Sequence, residues 1–307
     1  MGLRPILKGA IFAGAMTVFG ASAAMAQNAT CEETQFSSKT GEVYLKAETE
    51  LLQNDNPQAA LQHINKLRSM ELNCYEQGAV LKLGAAIKIQ ANDYAGAARD
   101  LQAAIDQGYV PEAEKAKTYY QIFQIYLSQN DLQRALDYSK RWMNAGGTPD
   151  RDDMWRLAVM NQKLDNNQES LKWAERVFEI DGSNAEREVY DFLIYLYDAT
   201  GQRAKKAALL EQLLAKNPNE RRLWDAIAGD YFQANEERKA FEVQKAMYLG
   251  GILQKEDELM RVVNFYNRFN VPYHAARVLE KEMNAGRISK TYDRMELLAN
   301  LYQVARE

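Results

Sequence analysis

Little in this chain could do covalent chemistry. Its 307 residues include only two histidines and two cysteines. His63 and His274 stand far apart in the sequence, which argues against a metal site of His and Cys ligands. Cys31 and Cys74 lack the C-x-x-C spacing of a redox enzyme. No H-E-x-x-H, G-x-S-x-G, P-loop or G-x-G-x-x-G pattern occurs. The acidic pairs Glu32-Glu33, Asp152-Asp153 and Glu236-Glu237 fit solvated surface or helix-start charges, and Lys205-Lys206 fits a solvated face. No catalytic residue, cofactor or metal is expected.

Basic charge is not in excess either. The formal net charge is −4, which argues against nucleic acid or an anionic membrane surface as the main partner. Long hydrophobic runs are missing too. The most apolar stretch, Gly9 to Ala21, falls short of the roughly 20 residues a membrane span needs and is rich in Gly and Ala. Arg4 and Lys8 precede it and Ala24-Met25-Ala26 follows, the order of an export signal with its cleavage site. Residues 1–26 are therefore expected to be a cleaved signal peptide, and the mature chain to be periplasmic, without an inserted segment and at most peripheral to the inner or outer membrane. Without Arg4 and Lys8 the 38 basic residues fall to 36 against 42 acidic ones, a net charge near −6. In an oxidising compartment Cys31 and Cys74 can pair, tying the leading segment to the loop after the first helical hairpin. Such a bridge is worth about 3–4 kcal/mol in the chain-entropy picture. Two free structural thiols are the alternative.

What the chain does have is periodicity. In Leu223 to Ala240, Trp224, Ile227, Ala228 and Tyr231 fall at i, i+3, i+4 and i+7, one apolar stripe along a helix. Ala240 follows nine residues later. Small residues at Ala228 and Ala240 let a second antiparallel helix approach closely. The same pattern can be traced along seven hairpins and an additional first helix. The positions equivalent to Tyr231 are 51, 87, 126, 161, 197, 231, 266 and 302, with steps between 34 and 39 residues. The fourth unit is the least regular, with Asn161 in the tyrosine position and Ser170 in the alanine position. Pro57 and Pro272 suit helix starts, and Asp131, Asn166 and Asn235 suit caps at the turns.

This stripe resembles the W-x2-L-G-x2-Y…A pattern of the tetratricopeptide repeat (TPR). The resemblance implies an all-α fold, an α-solenoid of about seven TPR-like hairpins plus a final unpaired helix, wound as a right-handed superhelix. Residues 27–40 are expected to be irregular and residues 41–307 to form the solenoid. The final helix is expected to use Met295, Leu298, Ala299 and Tyr302. Since Leu297, Leu298, Leu301 and Tyr302 would cap nothing, this helix packs only inward, further repeats follow it, or a partner covers it, the last two being favoured.

In such an array first helices line a groove, and residues offset by one from the core stripe point into it. By that offset the groove holds Tyr120, Gln124, Trp155, Val159, Asp191, Tyr195 and Asp198. It continues with Arg222, Asp225, Phe232, Met260, Asn264, Asn267 and Arg268. Tyr120, Trp155, Tyr195 and Phe232 would form an aromatic wall, the kind of rigid anchor a peptide groove uses. Asn264 and Asn267 could hold a peptide backbone through their amides. Inter-repeat packing is the alternative role for the aromatics.

The C-terminal two-thirds resembles a narrower family, the exported TPR proteins found with TonB energy-transduction systems beside ExbB and ExbD. The resemblance lies in Tyr138-Ser-Lys-Arg-Trp-Met143, Lys245-Ala-Met-Tyr-Leu-Gly-Gly251 and Glu256-Asp-Glu-Leu259. It is strongest in Asn264-Phe-Tyr266, Val271-Pro-Tyr-His-Ala-Ala-Arg-Val-Leu-Glu-Lys281 and Ala285-Gly286. It implies a periplasmic accessory of TonB-dependent uptake that binds a protein or peptide partner. Two other readings stay open: a different envelope-assembly scaffold, and an enzyme built on the groove carboxylates Asp191, Asp198 and Asp225.

Overall fold

The computed structural model describes residues 35–306. The expected signal peptide, and Cys31 of the expected disulfide, lie outside the described residues. Fifteen α-helices and one 3-10 turn, Gly182–Asn184, make up the described chain, with no strand among the described residues. The fold is all-α, as the periodicity requires.

The first eight helices are α1 (Ser38–Leu52), α2 (Pro57–Arg68), α3 (Cys74–Gln90), α4 (Tyr94–Asp106), α5 (Glu112–Ser128), α6 (Leu132–Asn144), α7 (Arg151–Lys163) and α8 (Asn167–Asp181). They are followed by α9 (Arg187–Ala199), α10 (Arg203–Lys216), α11 (Arg221–Gln233), α12 (Glu237–Leu249), α13 (Glu256–Arg268), α14 (Pro272–Asn284) and α15 (Tyr292–Val304). The chain divides inside α8 into two compact units, one ending at Val177 and the other beginning at Phe178. Each is a stack of helical hairpins.

The hairpins close on small residues. Ala60, Ala97, Ala135, Ala240 and Ala275 of the second helices have no exposed surface, because a facing first helix lies directly against each. In the irregular fourth hairpin, polar replacements are satisfied internally. Asn161 donates to the Leu157 carbonyl at 2.8 Å, and Ser170 donates to the Ala158 carbonyl at 2.8 Å. A serine hydroxyl thus sits at the helix contact at no cost in unpaired groups.

The turns have a common chemistry. Asp55, Asn92, Asn130, Asp165, Asn235 and Asn270 adopt positive φ between first and second helices, and Gly201 does so in the remaining hairpin. Asn and Asp tolerate this left-handed conformation better than other residues with a Cβ. In five of the seven hairpins the next residue returns its amide to the tyrosine position, as from Asp131 to Tyr126 at 3.0 Å, Glu236 to Tyr231 at 2.9 Å and Val271 to Tyr266 at 2.8 Å. This is the Schellman closure of a helix end. Asn235 therefore reverses the chain and is not the cap expected from its residue type; Glu236 occupies the cap position of α12. Asp131 does cap α6 through Arg134 N–H, and Pro57 and Pro272 open α2 and α14.

Four other expectations are corrected. The helix α1 begins at Ser38, inside the segment expected to be irregular, because Ser37 caps it and also donates its backbone amide to Glu76 at 2.8 Å. Asp153 stands in the first turn of α7, as a helix-start charge, but it is buried and not solvated, and receives the Tyr120 hydroxyl. Lys206 is held between Asp198 and Asp230, not on a solvated face. On α15 the buried residue is Leu301, with Leu297, Leu298 and Tyr302 packed beside it, while Met295 is about half exposed and Ala299 exposed. The helix covers only the side that meets α14, where the Tyr302 hydroxyl donates to Glu280 at 2.7 Å.

Candidate functional site

In the second unit, α9, α11 and α13 follow one another as first helices and are joined near their starts by a chain of ion pairs. Arg187 donates through Nη1 and Nη2 to Glu220 at 2.6 and 2.9 Å, and through Nε to Asp191 at 2.8 Å. One repeat later Arg221 meets Glu258 and, at 3.3 Å, Asp225. Glu256 then accepts from Ser289 at 2.8 Å and pairs with Arg294. The pattern follows from an arginine at the first position of α9 and of α11, with an aspartate one turn on. Hydrogen bonds from Arg187 hold the Glu220 carboxyl below its ordinary range. Those from Arg221 hold Glu258 at about 2, against its burial, with the Lys255 and Gln254 amides helping.

This ladder decides what the expected acids can do. Asp191 and Asp225 are exposed but already paired with arginines. Asp198 is paired with Lys206 at 2.7 Å. Each of these three acids is bonded to a cation that also holds a second carboxylate: Glu220, Glu258 and Asp230 respectively. Among the described residues no group of three His, Cys, Asp or Glu side chains is placed to hold a metal ion.

Further along the same face the surface becomes apolar. Tyr195 on α9 is 47 % exposed and Phe232 on α11 is 41 % exposed, large areas for aromatic residues. Between Tyr195 and Asn264 in repeat register lies Gly229, where an added Cβ would meet nothing within 4 Å. A bare backbone there admits close approach by another chain. Phe232 stacks on Phe265 with centroids 5.8 Å apart. Around them a hollow of about 360 Å³ is lined by Phe232, Gln244, Arg261, Asn264, Phe265 and Arg268. Three residues expected in the groove thus meet in one place: Phe232, Asn264 and Arg268. Asn267 is exposed on the same helix, and Arg268 pairs with Glu237 at 2.9 Å.

In the first unit the expected residues have different surroundings. Tyr120 is half-buried, 4.5 Å from the Trp142 ring, and donates its hydroxyl to Asp153 at 2.9 Å. Burial pushes the Tyr120 phenol up to about 12 and the Asp153 carboxyl upward as well. Tyr120 thus serves contact between hairpins. Gln124 lines a polar hollow of about 240 Å³ with Lys82, Glu114 and Gln121. Trp155 is half-buried on α7.

Three residues of the second-unit hollow are absent from the groove read in the sequence, Gln244, Arg261 and Phe265. Gln244 lies in the apolar stripe of α12 formed by Ala240, Phe241 and Met247, and a polar residue in such a stripe is the signal that marks it.

No protein-family model matches the chain, and no curated protein matches it. Solved structures of tetratricopeptide-repeat proteins are similar to it. One is a tetratricopeptide repeat protein from Parabacteroides merdae, 12 % identical, covering 88 % of this chain and all of that one, with a TM-score of 0.42. Another is the TPR2AB domain of yeast Sti1 in its complex with pHSP90, 14 % identical, covering 88 % and 99 %, with a TM-score of 0.43. YrrB, a TPR protein with an unusual peptide-binding site, is 15 % identical over 62 % of this chain and 90 % of its own, with a TM-score of 0.40. At these scores the likeness carries no argument about function.

Proposed function

We propose that the chain is a non-enzymatic scaffold whose second-unit first-helix face holds an extended segment of a partner protein in the cell envelope. The observation that carries this reading is the exposure of Tyr195 on α9 and of Phe232 on α11, the helix that also carries the open backbone of Gly229. Aromatic anchors beside a bare stretch of helix give a partner both buried area and close approach. The neutralised acids at the helix starts support a binding role over a catalytic one, since a general base needs a carboxylate that is not already committed to a cation.

The finer reading is a periplasmic accessory of TonB-dependent uptake. Its support is the export-signal pattern in residues 1–26 and the family resemblance of the C-terminal two-thirds. In this reading the mature chain begins at Gln27, and mass spectrometry of the protein from a native host gives that N-terminus; an uncleaved N-terminus overturns the location. A photo-crosslinking residue placed at Tyr195 or at Phe232, in intact cells, is expected to trap a component of the TonB complex. The same residue at Glu242 on α12 is the control. Crosslinks only from Glu242 would refute the groove, and groove crosslinks to other envelope proteins would refute the TonB assignment while keeping the groove.

A further inference from the structure

The hollow on α11–α13 has one feature that a merely structural cleft does not need. Gln244 is 9 % exposed, and its side-chain oxygen has no hydrogen-bond partner in the protein. A buried carbonyl oxygen without a donor is costly, and folded proteins seldom leave one so. It lies in a hollow walled by Phe232 and Phe265 and rimmed by two cations. Those cations are not used up. Arg261 is 3.6 Å from Asp257, beyond hydrogen-bonding reach, and 57 % exposed. Arg268 is 63 % exposed, and Glu237 occupies only its Nη2.

From these facts, and resting on the groove reading above, we infer that the hollow is an anchor subsite for an aromatic side chain with a hydrogen-bond donor at its tip, tyrosine or tryptophan, followed in the partner by a carboxylate. The donor reaches Gln244 Oε1, the ring lies on Phe232, and the carboxylate meets Arg261 or the free side of Arg268. Each part of the ligand is set by one property of the hollow. An aliphatic side chain leaves the Gln244 oxygen unpaired. Lysine or arginine could supply the donor, but the two guanidinium groups at the rim repel them. A volume of about 360 Å³ lies at the small end of ligand sites and suits one large side chain.

The test uses the full chain and four peptides followed by amide NMR titration. The reference is acetyl-Gly-Tyr-Glu-Gly-amide; the others replace Tyr with Phe, Tyr with Leu, or Glu with Gln. The reference peptide is expected to shift the Gln244 side-chain amide and the backbone amides of Phe232, Phe265 and Arg268. Replacing Tyr with Phe is expected to weaken binding about 3–10-fold, the worth of one neutral hydrogen bond. Replacing Glu with Gln is expected to weaken it about 2–5-fold, with the difference shrinking as salt is added. In Gln244→Leu, the Tyr and Phe peptides are expected to bind alike. Equal binding of Tyr and Phe to the unsubstituted protein overturns the inference, as does the absence of any shift at 20 mM peptide. Shifts confined to the surroundings of Tyr195 and Gly229 overturn the subsite and leave the groove standing. Loss of the Tyr195 and Phe232 crosslinks removes the groove itself. The peptide comparison on the unsubstituted chain decides the matter even if Gln244→Leu fails to fold.

Discussion

Replacing Glu258 with glutamine isolates the charge of one buried carboxylate. Glu258 is 2 % exposed at the third position of α13. Its Oε2 accepts the Gln254 and Lys255 amides, each at 3.1 Å, and Arg221 from the previous first helix donates to it as well. These bonds lower its pKa from 4.5 to about 2. A shift of that size corresponds to roughly 3 kcal/mol at most. The Arg221 side chain is 40 % exposed, so solvent screening reduces the figure to about 2 kcal/mol. That agrees with the range for hydrogen bonds to charged groups, about 1.5–3 kcal/mol. Because the folded pKa is lowered, this stability is fully present above pH 4.5 and is lost as pH falls toward 2. In Glu258→Gln there is no such titration. Native-state hydrogen exchange of the α13 amides, which reports local opening, should therefore show a gap of about 2 kcal/mol between the two proteins near neutrality. The gap should close as pH approaches 2. A gap under about 0.5 kcal/mol at pH 7, or one that stays constant from pH 5 to pH 2.5, would refute the assigned role of the charge.

Three further outcomes follow from the packing and the turns. Ala240→Leu is expected to destabilise the second unit by about 1–3 kcal/mol in urea unfolding, because the helix pair has no room for the added carbons. Asn235→Ala should cost about 1 kcal/mol and Asn235→Gly almost nothing by the same measurement, since φ is 57° there. For the proposed Cys31–Cys74 bridge, alkylation of the unfolded, unreduced protein should add no mass, and reduction should lower stability by about 3–4 kcal/mol; two alkylated cysteines before reduction would refute the pairing.

The architecture was legible because it is written in local spacing. Trp224, Ile227, Ala228 and Tyr231 lie within one helix, and the alanine nine residues on belongs to its immediate partner. The turns were half legible: Asn235 was recognised as a turn residue, but residue type alone does not separate a cap from a left-handed reversal. The series from Asp55 to Asn270 separates them, since each member comes just before a second helix. Long-range partnerships were not legible. Asp153 and Lys206 look like surface charges until Tyr120, 33 residues away, and Asp230, 24 residues away, are placed beside them. In the candidate site, Phe232, Asn264 and Arg268 came from the one-residue offset on first helices. Gln244 did not, because that rule never consults second helices. Tyr120 satisfies the rule and yet packs inward, since Trp142 and Asp153 offer its ring and hydroxyl better company than solvent does.

The bonds that tie one hairpin to the next reach about a single period: Tyr120 to Asp153, Arg187 to Glu220, Arg221 to Glu258, Tyr248 to Glu282. Within each unit, then, cohesion is passed on like the links of a chain, with every hairpin leaning on its immediate neighbours. Mechanical load on such a stack peels it one link at a time. A ligand that bridges α11 and α13 clips two successive links together, so its grip would be felt first as resistance to that peeling.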